Sequence, residues 1–190
     1  MTRNSWEPYK EFWAWISDKR NLSKGLNASG QPTPYIPHDR LCRYWTLERV
    51  TAVIKVYHEL PENLDTLYGE NTFRVRYIRI FSILVMIRKV GYLQEFISKA
   101  VGDCDLPLNP RDSTVFQATQ EGIQDAWSFF YAQFQFCPVQ LGSLAAHDQV
   151  LENGCILPLT VDRVLAEGDG KKPRVTRCRV HRTTAEIPRV

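Results

Sequence analysis

Between Arg74 and Lys89 the chain is apolar almost all round. Tyr77, Ile78, Ile80, Phe81, Ile83, Leu84, Val85 and Ile87 crowd the interval, and Arg74, Arg76, Arg88 and Lys89 stand at its ends. A segment without a polar face has no side to give to water, so it belongs at the centre of whatever the chain builds. Periodicity alone does not separate a buried helix from buried strands. The β-branched content favours a strand, whereas the length favours a helix. The reading adopted is a central buried helix. The basic residues at its ends keep their charges in water.

The segments around this run have helical spacing. Residues 6–19 read as a first helix, with Trp6, Trp13 and Ile16 available for one face and Trp15 beside it. Thr46 reads as the N-cap of a helix through about Leu60, with Val50, Val53, Ile54 and Tyr57 at helical spacing and Pro61 as its stop. After Gly91, the residues Tyr92, Leu93, Phe96, Ile97, Ala100 and Val101 form an amphipathic helix, and Gly102 suits its C-terminal cap. A later helix is expected over 120–136, with Ile123, Trp127, Phe130, Tyr131 and Phe134 on one face.

Other stretches break this pattern. Gly25, Gly30, Pro32, Pro34 and Pro37 make residues 21–37 read as an irregular loop. Helical periodicity fades after Pro138. Residues 156–167 and 174–182 read as two strands about a Gly-Asp-Gly turn. The expected fold class is mainly α: a compact helical domain over 1–155 and a short, basic C-terminal β-hairpin over 156–190. Two strands alone are marginal in water, so the hairpin must pack, pair or move.

Composition narrows the function classes. The longest apolar stretch, Ile80 to Ile87, contains Ser82 and falls well short of the roughly 20 residues of a membrane span. The opening residues lack the apolar run of a secretory signal, so the cytoplasm or nucleus is expected. In that setting the acceptor patterns Asn21-Leu22-Ser23 and Asn27-Ala28-Ser29 carry no glycan. Cys42, Cys104, Cys137, Cys155 and Cys178 are scattered singly, which is neither a disulfide framework nor a zinc site. Buried thiols are expected.

The charge is uneven. Residues 171–190 carry seven basic groups against Glu186, a charge of +6, so the rest of the chain is mildly acidic at −3. Lys171, Lys172, Arg174, Arg177 and Arg179 form the candidate basic surface. Electrostatic nucleic-acid binding is therefore one alternative, although the tail lacks interleaved aromatics and matches no known binding motif.

The candidate chemistry is sparse. His38, His58, His147 and His181 are isolated. His58-Glu59 lacks the second histidine of a helical zinc site. Asp103-Cys104-Asp105 starts like a calcium loop but continues into Leu106-Pro107, so a solvated loop is expected and no metal. The aromatic group Trp127, Phe129, Phe130, Tyr131, Phe134 and Phe136 reads as core rather than as a stacking platform. A small enzyme with a dispersed site is a further alternative, because such sites leave no local pattern.

Gly168-Asp169-Gly170-Lys171-Lys172-Pro173-Arg174-Val175 has the spacing of a kinase glycine loop, with Pro173 in place of the third glycine. Three further runs matter together: Arg79 to Ile87, Leu93 to Ile97 and Asp103 to Leu108. Together with Phe130 to Phe136, Ile156 to Leu159, the glycine loop and Arg179-Val180-His181, they resemble a helical region of filamentous-fungal proteins that precedes a protein kinase-like domain. The resemblance implies phosphate contact at the backbone of Gly168 and Gly170, and Val175 over the adenine of ATP. The lysine, catalytic aspartate and metal-binding residues of kinases have no counterpart here, and phosphoryl transfer needs them together. The expectation is a non-catalytic helical regulatory or protein-interaction module with a protein partner, with no cofactor, and with ATP binding weakly if at all.

Overall fold

The computed structural model describes residues 7–56, 72–111, 114–139, 154–166 and 175–180. Among them are seven α-helices: α1 (Glu7–Ser17), α2 (His38–Tyr44), α3 (Leu47–Val56), α4 (Thr72–Arg76), α5 (Ile78–Met86), α6 (Leu93–Ser98) and α7 (Gln120–Gln133). Five strands accompany them: β1 (Ser23–Asn27), β2 (Pro32–Tyr35), β3 (Ile156–Leu157), β4 (Leu159–Ala166) and β5 (Val175–Val180). The protein is mainly α.

The apolar run is a helix and it is central. Every residue of α5 from Ile78 to Val85 is buried, including Arg79 and Ser82. Ser82 can lie there because its hydroxyl donates to the Ile78 carbonyl (2.6 Å) and accepts from the Trp45 indole (2.8 Å). Aromatic rings fill the space around it. Phe81 meets Trp45 and Phe73 edge-on at 4.8 and 5.5 Å, and Trp45 continues to Phe12 at 4.8 Å.

Helix α1 approaches this core with a different face from the expected one. Tyr9, Phe12 and Ile16 are buried, whereas Trp13 is exposed; Trp6 lies outside the described residues. Tyr9, Phe12 and Ile16 follow the i, i+3, i+7 spacing of a single stripe, and Trp13 lies at its solvent edge. Trp15 packs at the margin against Tyr44, with ring centroids 4.5 Å apart. At the start of α3, Thr46 accepts from the Arg49 amide as an N-cap should. Tyr57 and Pro61 lie outside the described residues.

The breaker-rich stretch is not irregular. Strands β1 and β2 form an antiparallel hairpin, registered from Ser23 opposite Tyr35 to Leu26 opposite Pro32. The Asn27 side chain accepts from the amides of Ser29 and Gln31 and so holds the turn closed. Gly30 supplies the positive φ of 72° that the turn requires. Pro32 and Pro34 are tolerated because β2 is an edge strand in the order β2-β1-β3. Strand β3 joins from the far end of the chain, with Leu157 opposite Leu26 and Ile156 opposite Asn27. At Gly25 a Cβ would stand 2.4 Å from the Leu157 carbonyl oxygen, so the close approach of β3 needs glycine there.

The expected strand over 156–167 is thus divided at Pro158. Its first two residues extend the N-terminal hairpin, and the remainder, β4, pairs only with β5 among the described residues. That two-stranded ribbon is antiparallel, from Leu159 opposite Val180 to Ala166 opposite Val175, with two irregularities in its register.

Helix α6 is shorter than expected, and Gly102 does not cap it. The chain leaves the helix through Ala100, at a φ of 56°, while the Val101 amide returns to the Phe96 carbonyl (3.0 Å). Gly102 is extended and donates its amide to the Asp105 carboxylate (2.7 Å).

Candidate functional site

Helix α7 begins at Thr119, whose side chain accepts from the Gly122 amide (3.0 Å). Its inner face is then pinned at both ends. Near the N-terminus the Asp125 carboxylate takes the Lys89 ammonium at 3.0 Å and the Tyr92 hydroxyl at 3.1 Å, and Glu121 takes Lys89 at 2.8 Å. These hydrogen bonds hold the Lys89 pKa above the usual lysine value. At the C-terminus the Gln133 amide makes a two-point clamp on Leu108: it donates to the carbonyl at 2.9 Å and accepts from the N–H at 2.8 Å. Between these anchors Ala126, Phe129 and Ala132 are buried.

Fixing that face inward turns the opposite face outward. Ile123 is 50% exposed, Trp127 36% and Tyr131 68%, with half-buried Phe130 beside them. The rings form one continuous patch. Trp127 stacks with Tyr131 at 5.9 Å and meets Phe130 edge-on at 5.7 Å, and Phe130 meets the buried Phe134 at 5.1 Å. The sequence reading assigned the whole aromatic group to the core. The structure divides it: Phe129, Phe134 and Phe136 are core, whereas Trp127 and Tyr131 lie on the surface. Both faces of α7 carry large apolar residues, so helical spacing alone did not say which one faces inward. Asp125 and Gln133, paired with distant partners, were the residues that decided it.

A run of exposed aromatic and aliphatic side chains on one helix face is the usual make-up of a protein contact surface, where Trp and Tyr supply large area at low conformational cost.

The residues singled out in the sequence fall elsewhere. Gly168, Gly170, Lys171, Lys172 and Arg174 lie outside the described residues. Val175 opens β5 opposite Ala166. Arg177 and Arg179 are exposed, and both approach the Asp162 carboxylate across the ribbon, at 3.6 and 3.8 Å, so part of their charge is locally balanced. Of the histidines, His38 is described and half-buried; His58, His147 and His181 lie outside the described residues. Among the cysteines only Cys137 is buried; Cys42, Cys155 and Cys178 are half-buried and Cys104 is exposed.

Asp103 is not part of a solvated loop. It is buried, and its carboxylate caps α5 by accepting from the Arg79 and Ile80 amides at 2.8 and 2.9 Å. The positive end of the helix dipole favours an anion there, while burial pushes the carboxyl up to about 6. No sequence motif signalled this cap, because the aspartate lies more than twenty positions beyond the amides it caps.

His38 and Cys42 lie one turn apart on α2, with Nε2 and Sγ 3.4 Å apart. Burial lowers the imidazole to about 4 and raises the thiol. Both shifts favour neutral partners, the opposite of the thiolate-imidazolium arrangement of a nucleophilic cysteine. Among the described residues no group of three or more His, Cys, Asp or Glu side chains is placed to hold a metal ion. Among those residues, too, no helix is long and apolar enough to cross a membrane.

No family model, curated protein or solved structure matches this chain.

Proposed function

We propose that this protein is a non-catalytic helical interaction module that docks an apolar segment of a partner protein on the outer face of α7. One observation carries the reading: Trp127 and Tyr131 stack on each other in solvent while the other face of the same helix is clamped into the core. A rigid helix presenting ordered aromatic side chains loses little conformational freedom on binding, which favours affinity. The neutral His38–Cys42 pair supports the non-catalytic part of the reading. The resemblance to the region ahead of fungal kinase-like domains agrees with a regulatory setting, in which the module would contact a protein rather than turn over a substrate.

The test begins with a photocrosslinking residue placed at position 131 in living cells. Each captured protein is identified, purified and titrated against the wild type and the Trp127→Ala/Tyr131→Ala double variant. The double variant should retain its helical circular dichroism and lose about tenfold or more in affinity, as removal of aromatic anchors does. The reading fails if no captured protein binds the purified wild type more tightly than the double variant. Steeply salt-dependent binding to duplex DNA, unchanged by the double substitution, would favour the nucleic-acid alternative instead.

A further inference from the structure

Away from the α7 surface, one cluster of polar side chains is incompletely satisfied. Arg79, near the start of the central helix, is only 5% exposed, yet its Nε is fully buried without a hydrogen-bond partner. Its backbone amide is occupied by Asp103, and no side-chain ion pair to Arg79 occurs among the described residues. A buried guanidinium without acceptors is costly, and such an orphan calls for a physical reason.

Its neighbours share the condition. On α4, Arg74 uses one terminal nitrogen to donate to the Cys42 carbonyl (2.7 Å), while its Nε is buried and unpartnered. On α2, His38 faces Cys42 through Nε2 and leaves Nδ1 buried and unpartnered. Beyond burial, the two guanidiniums lie close enough to His38 for both to disfavour its protonation, and the Asp39 carboxylate opposes them. The two unpartnered guanidinium Nε–H groups are donors, and His38 Nδ1 joins them in the tautomer in which Nε2 accepts from the Cys42 thiol. Arg79 is the floor of this cluster; half-buried His38, Cys42 and Arg74 are its rim.

The local anions do not consume these donors. The Asp103 carboxylate is taken by backbone amides. Asp39, also at the rim, gives one oxygen to Arg43 at 2.5 Å; its other oxygen is unpartnered. The cluster therefore holds two unpartnered guanidinium N–H donors against the one unpartnered acceptor at Asp39.

We propose that Arg79, Arg74 and His38 form a binding site for a small oxyanion, a phosphate-like or carboxylate group whose oxygens accept from the two Nε–H groups and from Nδ1–H. Guanidinium forks suit such planar or tetrahedral oxygen arrays, and charge-assisted hydrogen bonds in a half-buried site are the strong ones. The site rests on different residues from the α7 surface and stands or falls independently of it.

The experiment is an NMR titration of the full chain, following the His38 imidazole. Sodium phosphate and sodium acetate are compared with sodium chloride at matched ionic strength. A saturable change with phosphate or acetate, absent with chloride, is expected, together with an upward movement of the His38 titration point from about 4 as a bound anion stabilises the imidazolium. Saturation by phosphate with little response to acetate identifies a phosphate-like ligand; the reverse identifies a carboxylate. Arg74→Gln, at the rim, should weaken the effective anion about tenfold, and Arg79→Lys, which keeps the charge but loses the fork, should weaken it as well. The proposal is overturned if neither anion saturates the wild type, if chloride reproduces the change, or if a folded Arg74→Gln variant binds as the wild type does.

Discussion

The central helix and the C-terminal ribbon are opposite solutions to the same problem. In α5, eight consecutive residues from Ile78 to Val85 are buried, and the rest of the body is arranged to cover them. In the β4–β5 ribbon, Val161 and Leu165 are 41% and 53% exposed, and the cross-strand charges on Asp162, Arg177 and Arg179 meet only at 3.6 and 3.8 Å. The body gains its stability from apolar area removed from water. The ribbon has strand pairing and little burial, and two strands on their own are marginal. Its exposed arginines serve another purpose: charge on the ribbon discourages pairing with other chains.

The sharpest way to break this comparison is Phe81→Ala. It removes a ring at the meeting point of Trp45 and Phe73, and should cost about 3–5 kcal/mol of unfolding free energy in a denaturant titration. A loss below about 1 kcal/mol would mean that the core does not close around α5.

A second test concerns the buried titratable groups, which belong to the body. The His38 pKa is lowered from 6.5 to about 4, so its contribution to stability is present above pH 6.5 and is lost as the pH falls toward 4. The Asp103 pKa is raised from 3.8 to about 6, so its contribution is fully present below 3.8 and is lost as the pH rises through 6. Between these limits the two oppose each other. His38→Asn removes one of them. Acidification from pH 6.5 to 4 should therefore cost the variant about 1–2 kcal/mol less than the wild type, after allowance for the partial exposure of the imidazole. Equal pH profiles for the two proteins would show that His38 is not held neutral by burial.

The smallest effect is expected in the ribbon. Asp162→Ala removes both cross-strand ion pairs and should change the unfolding free energy by no more than about 0.5 kcal/mol. A larger loss in the thermal melt would show that the ribbon and the body share their stability.

The two faces of α7 repeat the lesson on a smaller scale. Helical spacing placed Ile123, Trp127, Phe130, Tyr131 and Phe134 on one stripe, and they do share one. Phe134 is buried, while the middle of the stripe faces solvent. The spacing established membership of a face but not its destination. The buried side carries Asp125 and Gln133, residues that a composition-based reading sends to the surface. They are buried because Lys89, Tyr92 and the Leu108 backbone satisfy them. The candidate contact surface was therefore visible in the sequence as a cluster and invisible as a surface. The oxyanion cluster was not legible at all, because its donors come from three separate helices.

What the sequence determined by itself is what depends on near neighbours. A run apolar on every side became a buried helix, Thr46 and Thr119 capped the helices that follow them, and residues 159–166 and 175–180 paired as a ribbon. These outcomes need only periodicity, capping chemistry and strand propensity. Tertiary structure alone decided what depends on a distant partner. Strand β1 gained a second partner, β3, from far along the chain, so residues 23–35 belong to a three-stranded sheet where prolines and glycines locally argued for a loop. Asp103 became a helix cap because folding brought it to the exposed amides of α5. In each case a buried backbone or carboxylate group had to find its hydrogen-bond partner, and that partner lay far away along the chain.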